Sequence, residues 1–331
     1  MAIGVTTIPT ELVKKLWSKQ LWMEVQEDLF FKRFIGEGEA SVIQKVSDLK
    51  KDNGDQITIP LLMKLSGSGI SGDNTLEGNE EQMTFYSMPV TVDQIRHAVR
   101  LKGKMEEQKS AVKLRTAAKT ALKTWMVEYI EKRFFTTLGT SPTANRTVWG
   151  GASSVDTLGE ITAAAKLTTT LISTAKRKAM MATPKIRPVR VDGREYYVMV
   201  VHPYAARDLK TDSAWLSAQQ YANLRGDANN PIFTGALGIW DGVALWEHPW
   251  VRLTTEGASG ANCCYNTLLG AQAGAWAVAK ETFWEEEDFD YHNSVGFATG
   301  VIDGFKKSQF GASGSEQDFG VITVITGGAS D

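Results

Sequence analysis

A stripe of apolar side chains runs through residues 101 to 138 in steps of four positions. The row is Leu114, Ala118, Leu122, Met126, Ile130, Phe134 and Leu138. This spacing places one apolar face along an α-helix, and the stretch contains no Pro and a single Gly, Gly103, at its start. A continuous helix over these residues would be roughly 55 Å long at 1.5 Å per residue. Such a helix requires an extended surface to pack against.

A second amphipathic helix is predicted near the N-terminus, where apolar residues again recur every four positions. Its row is Val13, Trp17, Leu21, Val25 and Leu29, with Thr10 placed to cap the helix and Gly36 placed to end it. A single helix cannot bury its own apolar face. We therefore expect Trp17, Leu21 and Val25 to contact the body of the same chain or a neighbouring copy.

Residues 54 to 96 have the alternating pattern of a β-hairpin. One strand presents Ile57, Ile59, Leu61, Met63 and Leu65 on one face, and the returning strand carries Met83, Phe85, Met88, Val90, Val92 and Ile95. A polar, glycine-rich tip from Gly67 to Glu81 joins them. Pro60 and Pro89 fit only edge strands. Because little of the adjacent chain could cover such a ribbon, we expect an intersubunit contact through Ile57, Ile59, Leu61, Met63, Leu65, Met83 and Phe85.

The rest of the chain reads as a linker followed by a mixed α and β region. The expected order is a linker over Thr140 to Ser154, a helix from Leu158 to Ala179, a strand over Tyr196 to Val201, short helices at Pro203 and at Trp215 to Leu224, a loop over Arg225 to Pro231, and a strand over Gly242 to Trp246. Four strands follow, at Cys264 to Leu269, Ala275 to Ala279, Val301 to Phe305 and Val321 to Thr326, with an acidic cluster between them at Glu285, Glu286, Glu287 and Asp288. The fold class expected is α+β.

Composition excludes several classes of protein. The 331 residues carry a net charge of −2, which argues against a dedicated nucleic-acid binder. The two cysteines are adjacent, so no disulfide framework is expected, and we interpret them as buried small residues. Neither a signal peptide nor an apolar run of membrane-spanning length is present, which predicts a soluble intracellular product.

No motif predicts a catalytic residue, a cofactor site or a metal site. Gly67, Gly69 and Gly72 match a dinucleotide fingerprint formally, but the acidic residues that follow favour a hairpin tip. The four histidines are isolated, and the acidic cluster lacks the alternating ligands of a calcium loop, although a bound cation stays an open alternative. The exposed side of the long helix is basic, which fits either a solvated face or a weak lining for nucleic acid. These basic residues are Lys109, Lys113, Arg115, Lys119 and Lys123.

The order of these elements resembles the tailed-phage major capsid proteins of the Hong Kong 97 type. Several local stretches of sequence are similar to those of the coliphage-N-four-like branch of that family. The similar stretches are Lys45 to Lys51 (KVSDLKK), Gly54 to Leu65 (GDQITIPLLMKL), Leu76 to Phe85 (LEGNEEQMTF), Val92 to Val99 (VDQIRHAV), Glu285 to Tyr291 (EEEDFDY), Gly304 to Phe310 (GFKKSQF) and Asp318 to Ile322 (DFGVI). The resemblance covers residues 10 to 326.

The resemblance implies a division of the chain into five parts. These are an N-terminal arm (1–50), an extended β-hairpin loop (51–98), a peripheral domain with a spine helix (99–150), an axial α/β domain (151–262) and C-terminal strands that return to the peripheral domain (263–331). It further implies self-assembly into hexamers and pentamers of an icosahedral head, located in the virion and assembled in the host cytoplasm. The implied partners are the chain itself, a portal, a separate scaffolding protein and weakly held double-stranded DNA, with a decoration protein left open.

Two other functions are compatible with parts of the pattern. A cellular nanocompartment shell of the encapsulin type would share the fold and enclose enzymes, and particle size and nucleic-acid content would distinguish it. A nucleotide-dependent enzyme would use the three tip glycines and would be stabilised by a nucleotide.

Overall fold

The computed structural model describes residues 24–25, 29–47, 54–63, 65, 67–110, 113–191, 194–222, 237–312 and 314–329. The α-helices are α1 (Lys104–Lys109), α2 (Leu114–Gly139), α3 (Thr169–Met181), α4 (Pro203–Lys210) and α5 (Ser213–Ala222). The strands are β1 (Ile35–Gly36), β2 (Ile43–Val46), β3 (Gln56–Leu62), β4 (Phe85–Thr91), β5 (Asp93–Arg100), β6 (Thr147–Trp149), β7 (Val189–Val191), β8 (Arg194–Val201), β9 (Gly238–Trp240), β10 (Val243–Glu247), β11 (Leu253–Thr254), β12 (Asn262–Leu269), β13 (Gly274–Phe289), β14 (Ser294–Lys307), β15 (Gln309–Phe310), β16 (Gln317–Asp318) and β17 (Val321–Gly328).

Helix α2 buries the apolar row that the sequence predicts. Ala118, Leu122, Met126, Ile130, Phe134 and Leu138 are all buried. They pack against β13 and β14, where Phe134 lies 4.0 Å from Phe305 and 5.5 Å from Trp276 between ring centroids. The C-terminal strands β13 and β14 therefore supply the extended surface that the long helix requires.

Two sheets form the body of the molecule. The first has the order β1-β2-β13-β14-β5, and α2 covers one of its faces. The second has the order β6-β17-β12-β8-β10-β9, with β7 and β11 attached at β8 and β12. Helices α3 and α4 cover one face of this second sheet, and its other face joins the core around α2. Helix α2 therefore lies on one side of the molecule and α3 on the other.

The single helix expected over residues 101 to 138 is wrong at its N-terminal end. Ser110 is extended (ψ 128°) and separates α1 from α2, which spans 26 residues and is about 39 Å long. The apolar row explains the break, because the positions four and eight before Leu114 are Ser110 and Glu106. No residue of α1 is buried, so tertiary packing does not support a helix there.

Three other expectations are wrong in detail. The stretch expected to be a linker, residues 140 to 154, contains β6, which pairs in parallel with β17. The helix expected from Leu158 begins only at Thr169, although Ile161, Ala165 and Leu167 are buried in the irregular segment before it. The acidic cluster at residues 285 to 288 lies inside β13 and not between strands, because β13 continues to Phe289 paired with β14.

The N-terminal helix expected to end at Gly36 is wrong at its described end, because Leu29 is extended (ψ 128°), Phe30–Phe34 form a 3₁₀ helix and Gly36 lies in β1. The strands and helices expected over residues 196–222 and 242–246, and the strands at 264–269 and 321–326, are confirmed. β8, β10, β12 and β17 cover the expected buried strands, and Pro203 opens α4 after His202, whose Nδ1 accepts a hydrogen bond from the Tyr204 amide. The loop expected over residues 225 to 231 lies outside the described residues. No helix in the described part of the chain is long and apolar enough to cross a membrane.

A buried ion pair joins the residues that follow α2 to β14 and β16. Lys307 Nζ at the end of β14 lies 2.9 Å from Asp318 Oδ1 in β16, and both side chains are almost fully buried (5% and 0% exposed). Lys307 also donates to the carbonyl oxygens of Thr140 and Ser141, and Asp318 accepts from the Thr143 amide. Burial lowers the pKa of the Lys307 ammonium, although the Asp318 carboxylate opposes that shift.

Candidate interaction surfaces

The hairpin of β3 and β4 is anchored at its base by the same chain. Ile57 and Ile59 pair with Val90 and Met88 across the two strands. Together with Ala275 and Ala277 of β13, the side chains of Ile57, Met88 and Val90 form a small buried cluster, which Ile59 flanks. Full burial of side chains of this size is worth about 1.5–3 kcal/mol each, so the base is held firmly. The expectation that little of the chain covers the hairpin is wrong at its base.

The covering strand comes from a distant part of the sequence, which the local pattern does not reveal. Residues 275 and 277 face the hairpin, whereas Trp276 and Val278 of the same strand face α2. Gly304 of β14 allows the close approach, because a Cβ at that position would lie 2.1 Å from the Thr91 carbonyl oxygen. The hairpin base and α2 therefore occupy opposite faces of the five-stranded sheet.

The hairpin is buried on its inward face at the base and exposed on its outward face. Val90, on the inward face of β4, is 1% exposed, whereas Phe85, on the outward face of the same strand, is 62% exposed. Leu61 and Met63 are half-buried and line a cavity of 250 Å³ against the body of the chain. Leu65 and Met83 are more than half exposed, as is Leu62, which the sequence analysis did not single out and which pairs with Phe85 on the outward face.

The tip beyond these strands, residues 67 to 84, makes no regular secondary structure. Gly69 and Gly72 have positive φ angles of 68° and 70°, and a Cβ added at either would meet no heavy atom within 4 Å. The glycines do not open a helix, so the geometry of a dinucleotide site is missing. The hairpin thus ends in an extended tip with uncovered apolar side chains next to it.

The described part of the N-terminal arm lies on the body of its own chain. Val25 is fully buried in the core around α2, and Glu24 accepts a hydrogen bond from Lys119 at 3.0 Å. The Phe30 amide donates to the buried carboxylate of Glu131 in α2 at 2.5 Å. Trp17 and Leu21, the other two residues expected to make the arm contact, lie outside the described residues.

The acidic cluster does not converge on a common point. Along a strand, successive side chains alternate between faces, so Glu285 and Glu287 point away from Glu286 and Asp288. Glu286 accepts from Arg115 at 2.7 Å and from the indole nitrogen of Trp284 at 2.7 Å. Among the described residues, no group of three or more His, Cys, Asp or Glu side chains could hold a metal ion.

The buried cysteines and histidines have structural environments. Burial raises the pKa of the Cys264 thiol to about 12 and also raises that of Cys263, which makes both poor nucleophiles. His248 stacks on Phe135 at 4.4 Å, and burial lowers its pKa to about 4. His202 caps α4, and burial lowers its pKa as well.

The basic face of α2 is partly neutralised by carboxylates of the same chain. Arg115 pairs with Glu286 and Lys119 pairs with Glu24. The i,i+4 pair of Lys132 and Glu128 adds another contact at 3.1 Å. This face resembles a solvated helix surface more than a uniform basic lining.

A basic cavity lies on the same side of the molecule as the hairpin. It measures 530 Å³, and its lining includes Arg146, Arg177, Lys178, Met181 and Gln317 but no acidic side chain. It adjoins the smaller cavity beneath the hairpin, because Arg146 and Gln317 line both. No sequence motif marks this site, although the composition of residues 161 to 191 gives a signal for it. That stretch contains no Asp or Glu, and its basic residues are Lys166, Lys176, Arg177, Lys178, Lys185, Arg187 and Arg190.

The cations of this cavity are weakly compensated within the chain. Arg146 is buried, donates to the carbonyl oxygens of Thr183 and Pro184, and has no hydrogen-bond partner for its buried Nε among the described residues. Burial lowers the pKa of Arg146, although Asp318 opposes the shift. Burial also lowers the pKa of Lys178, and the positive charge of Arg146 lowers it further. Positive charge that its own chain compensates only weakly favours an anionic partner.

Comparisons with known proteins give consistent matches over nearly the whole chain. The family model described as "Phage capsid protein" matches residues 6–329. The "Major capsid protein" of Pseudomonas phage KPP25 is 31% identical, with 94% of each chain covered. Among solved structures, the capsid of Ralstonia phage GP4 has a TM-score of 0.80 at 30% identity, covering 91% of this chain and 92% of that one. The cyanophage Pam1 capsid has a TM-score of 0.79 at 29% identity, with the same coverage.

Proposed function

This chain belongs to the phage capsid protein family, and on that premise we propose that its copies close into hexamers and pentamers through the hairpin of β3 and β4. The chain is a major capsid protein with the Hong Kong 97-like fold, and it forms part of the shell of a virion. Identical copies that contact head to tail close into rings when the rotation between them permits it. The hairpin supplies a surface for such a contact.

The observation that supports the hairpin contact is the uncovered apolar surface next to its tip. Leu62, Leu65, Met83 and Phe85 are each more than half exposed, and Leu76 in the tip is exposed as well. An apolar patch of this kind on a shell component favours burial against another copy. The expected contact residues therefore fall into two groups: Leu65, Met83 and Phe85 for the neighbouring copy, and Ile57 and Ile59 for the base. Leu61 and Met63 lie between them.

We retain the arm, the hairpin loop, the peripheral domain and the axial domain, and we divide the C-terminal strands between the last two. The strands β13 and β14 belong to the sheet that carries α2, so residues 274 to 307 are assigned to the peripheral domain. The strands β12 and β17 pair with β8 and β6, which supports assigning them to the axial domain. The arm over residues 1–50 is proposed to reach a neighbouring copy through Trp17 and Leu21, while Val25 holds its end to its own chain.

The finer assignments rest on the sequence. The stretches at residues 54–65 and 76–85 favour the coliphage-N-four-like branch within the family. We propose a portal, a separate scaffolding protein, an optional decoration protein and weakly held double-stranded DNA as partners, with assembly in the host cytoplasm. The net charge of −2 fits a wall that does not grip DNA while the genome is packed.

Deletion of the tip tests the role of the hairpin. Replacing residues 66–81 by a short glycine linker should leave the folded chain intact, because the base cluster of Ile57, Met88 and Val90 remains. It should prevent closed shells, since the deleted tip no longer reaches another copy. Particle yield by sedimentation and electron microscopy is the measurement, and circular dichroism of the purified chain is the control for folding. Normal shells from this variant would refute a contact made through the tip of the hairpin.

A further inference from the structure

The tip of the hairpin and the basic cavity have opposite charge. Residues 65 to 92 contain no Lys or Arg, and the acidic residues of the tip are Asp73, Glu77, Glu80 and Glu81. The cavity is lined by Arg146, Arg177 and Lys178 without an acidic side chain. Since electrostatic complementarity directs which surfaces meet, the two regions form a matched pair.

The apolar surfaces of the two regions also match. The tip carries Leu76 and adjoins Met83, both of which are more than half exposed. Met181, at the C-terminal end of α3, is 78% exposed and lines the cavity, and the neighbouring Met180 is about half exposed. Methionine is flexible and polarisable, which suits it to adapt to an incoming apolar side chain.

The tip does not fill the cavity of its own chain. The positions beyond Gly69, Gly72 and Gly78 are open space, with no heavy atom within 4 Å of an added Cβ. The carboxylates of Glu80 and Glu81 accept hydrogen bonds from amides of the tip itself, those of Gly78 and Gly67. No tip residue is among the described residues that line the cavity, so a tip that occupies it has to belong to another copy.

We propose that the acidic tip of one copy docks in the basic cavity of a neighbouring copy, with Asp73 and Glu77 facing Arg177 and Lys178, and Leu76 against Met181. This inference rests on the proposed role of the hairpin in assembly and names the surface that receives it. The hairpin base and α3 lie on the same side of the molecule, opposite α2, so a hairpin that extends sideways meets the cavity side of the next copy.

A second groove offers a competing receptor. It measures 820 Å³ and combines Trp246 and Val198 with Arg33, Arg190 and Arg194. Val198 and Trp246 belong to the core around α2, so this groove opens on the side of α2 and away from the hairpin. Arg190 is also paired with Glu195 of its own chain at 3.0 Å. Both observations favour the cavity at α3.

Charge reversal with rescue tests the proposal. The full chain is expressed with the other head proteins of its phage, and particle yield is compared for R177E in the cavity and for D73K/E77K in the tip. Like-charge contacts at an interface cost several kcal/mol, so each variant should lower the yield by about tenfold or more. The combined variant, D73K/E77K with R177E, should recover most of the yield.

Matched control variants distinguish docking of the tip at α3 from a general effect of charge reversal on assembly. K166E reverses an exposed charge in the same basic stretch outside the cavity, and R194E reverses one in the competing groove. Both should assemble normally. If unmodified chain forms shells and R177E forms them equally well, docking at α3 is refuted while assembly through the hairpin stands. Loss of shells in R194E alone would assign the tip to the other groove. Failure of the unmodified chain to form any shell would contradict the proposed function itself.

Crosslinking supplies a test that does not depend on yield. A chain with L76C is mixed during expression with a chain carrying M181C, and assembled particles are treated with a short bismaleimide. A covalent dimer that forms only when both variants are present is the expected result. The absence of that dimer in well-formed mixed particles would overturn the proposal.

Discussion

The buried pair of Lys307 and Asp318 gives a prediction whose size follows from its environment. Replacing Asp318 with Ala leaves the Lys307 ammonium buried without its counter-charge and removes the acceptor of the Thr143 amide. Removing one partner of a buried ion pair costs about 3–5 kcal/mol. Because Gln309 Nε2 also donates to Asp318, at 2.9 Å, we expect the upper half of that range.

The reverse variant and the double variant complete the test. Lys307→Met should cost about 3–5 kcal/mol as well, because it leaves the fully buried Asp318 carboxylate without its cation. The combined K307M/D318L variant should cost much less than the sum of the single variants, since it removes both buried charges together.

The measurement is urea unfolding of the purified full-length chain, with sedimentation used to verify that it is unassembled. Arg190 and Glu195, an ion pair on the surface, serve as the matched control and should contribute less than about 1 kcal/mol. Additive costs in the double variant, or single-variant costs as small as those of the surface pair, would refute the claim that Lys307 and Asp318 form a coupled buried joint.

Three further predictions concern stability and reactivity. Phe134→Ala should lower the free energy of unfolding by about 3–5 kcal/mol, with Phe134→Leu costing less, because the ring is fully buried; a cost under about 1 kcal/mol would contradict the packing described. The pKa of His248 is about 4 in the folded chain and about 6.5 when unfolded, so the unfolded state binds the extra proton and stability should fall by up to about 3 kcal/mol as pH drops from about 6.5 towards 4. That loss should be absent from a His248→Gln variant compared over the same range. Cys263 and Cys264 should resist a maleimide until the chain unfolds, and rapid labelling of the native chain would show that they are not buried.

The sequence predicts those elements whose apolar residues form a complete local pattern. The four-residue row of α2 and the alternation of β3 are both recovered, and the buried runs at β8, β12 and β17 are recovered as well. In each case the apolar positions of the segment coincide with the side chains that the fold buries. The apolar row of α2 also indicates the helix break before Leu114, because the position four residues earlier is the polar Ser110.

Features that depend on distant residues are not recoverable in this way. The base of the hairpin is covered by Ala275 and Ala277, which lie more than 180 residues further along the chain, and no local pattern identifies them. The acidic end of β13 is a strand because β14 pairs with it and Trp284 packs on Phe297, at 5.8 Å, although its charged residues suggest a loop. Long-range pairing decides both features.

The basic cavity is an intermediate case. The absence of acidic residues from 161 to 191 is visible in the sequence, as is the absence of basic residues from 65 to 92. The sequence does not show that Arg146, from the turn before β6, joins Arg177 and Lys178 at one cavity. Its position there depends on hydrogen bonds to Thr183 and Pro184, which only the folded chain brings together.

Electron cryomicroscopy of assembled particles tests the central claim most directly. The account predicts a closed shell in which the hairpin over residues 56–91 leaves its own copy beyond Leu62 and its tip lies on the neighbouring copy. A shell in which each tip contacts only its own chain would contradict the account, as would a preparation in which the complete set of head proteins yields no closed shell.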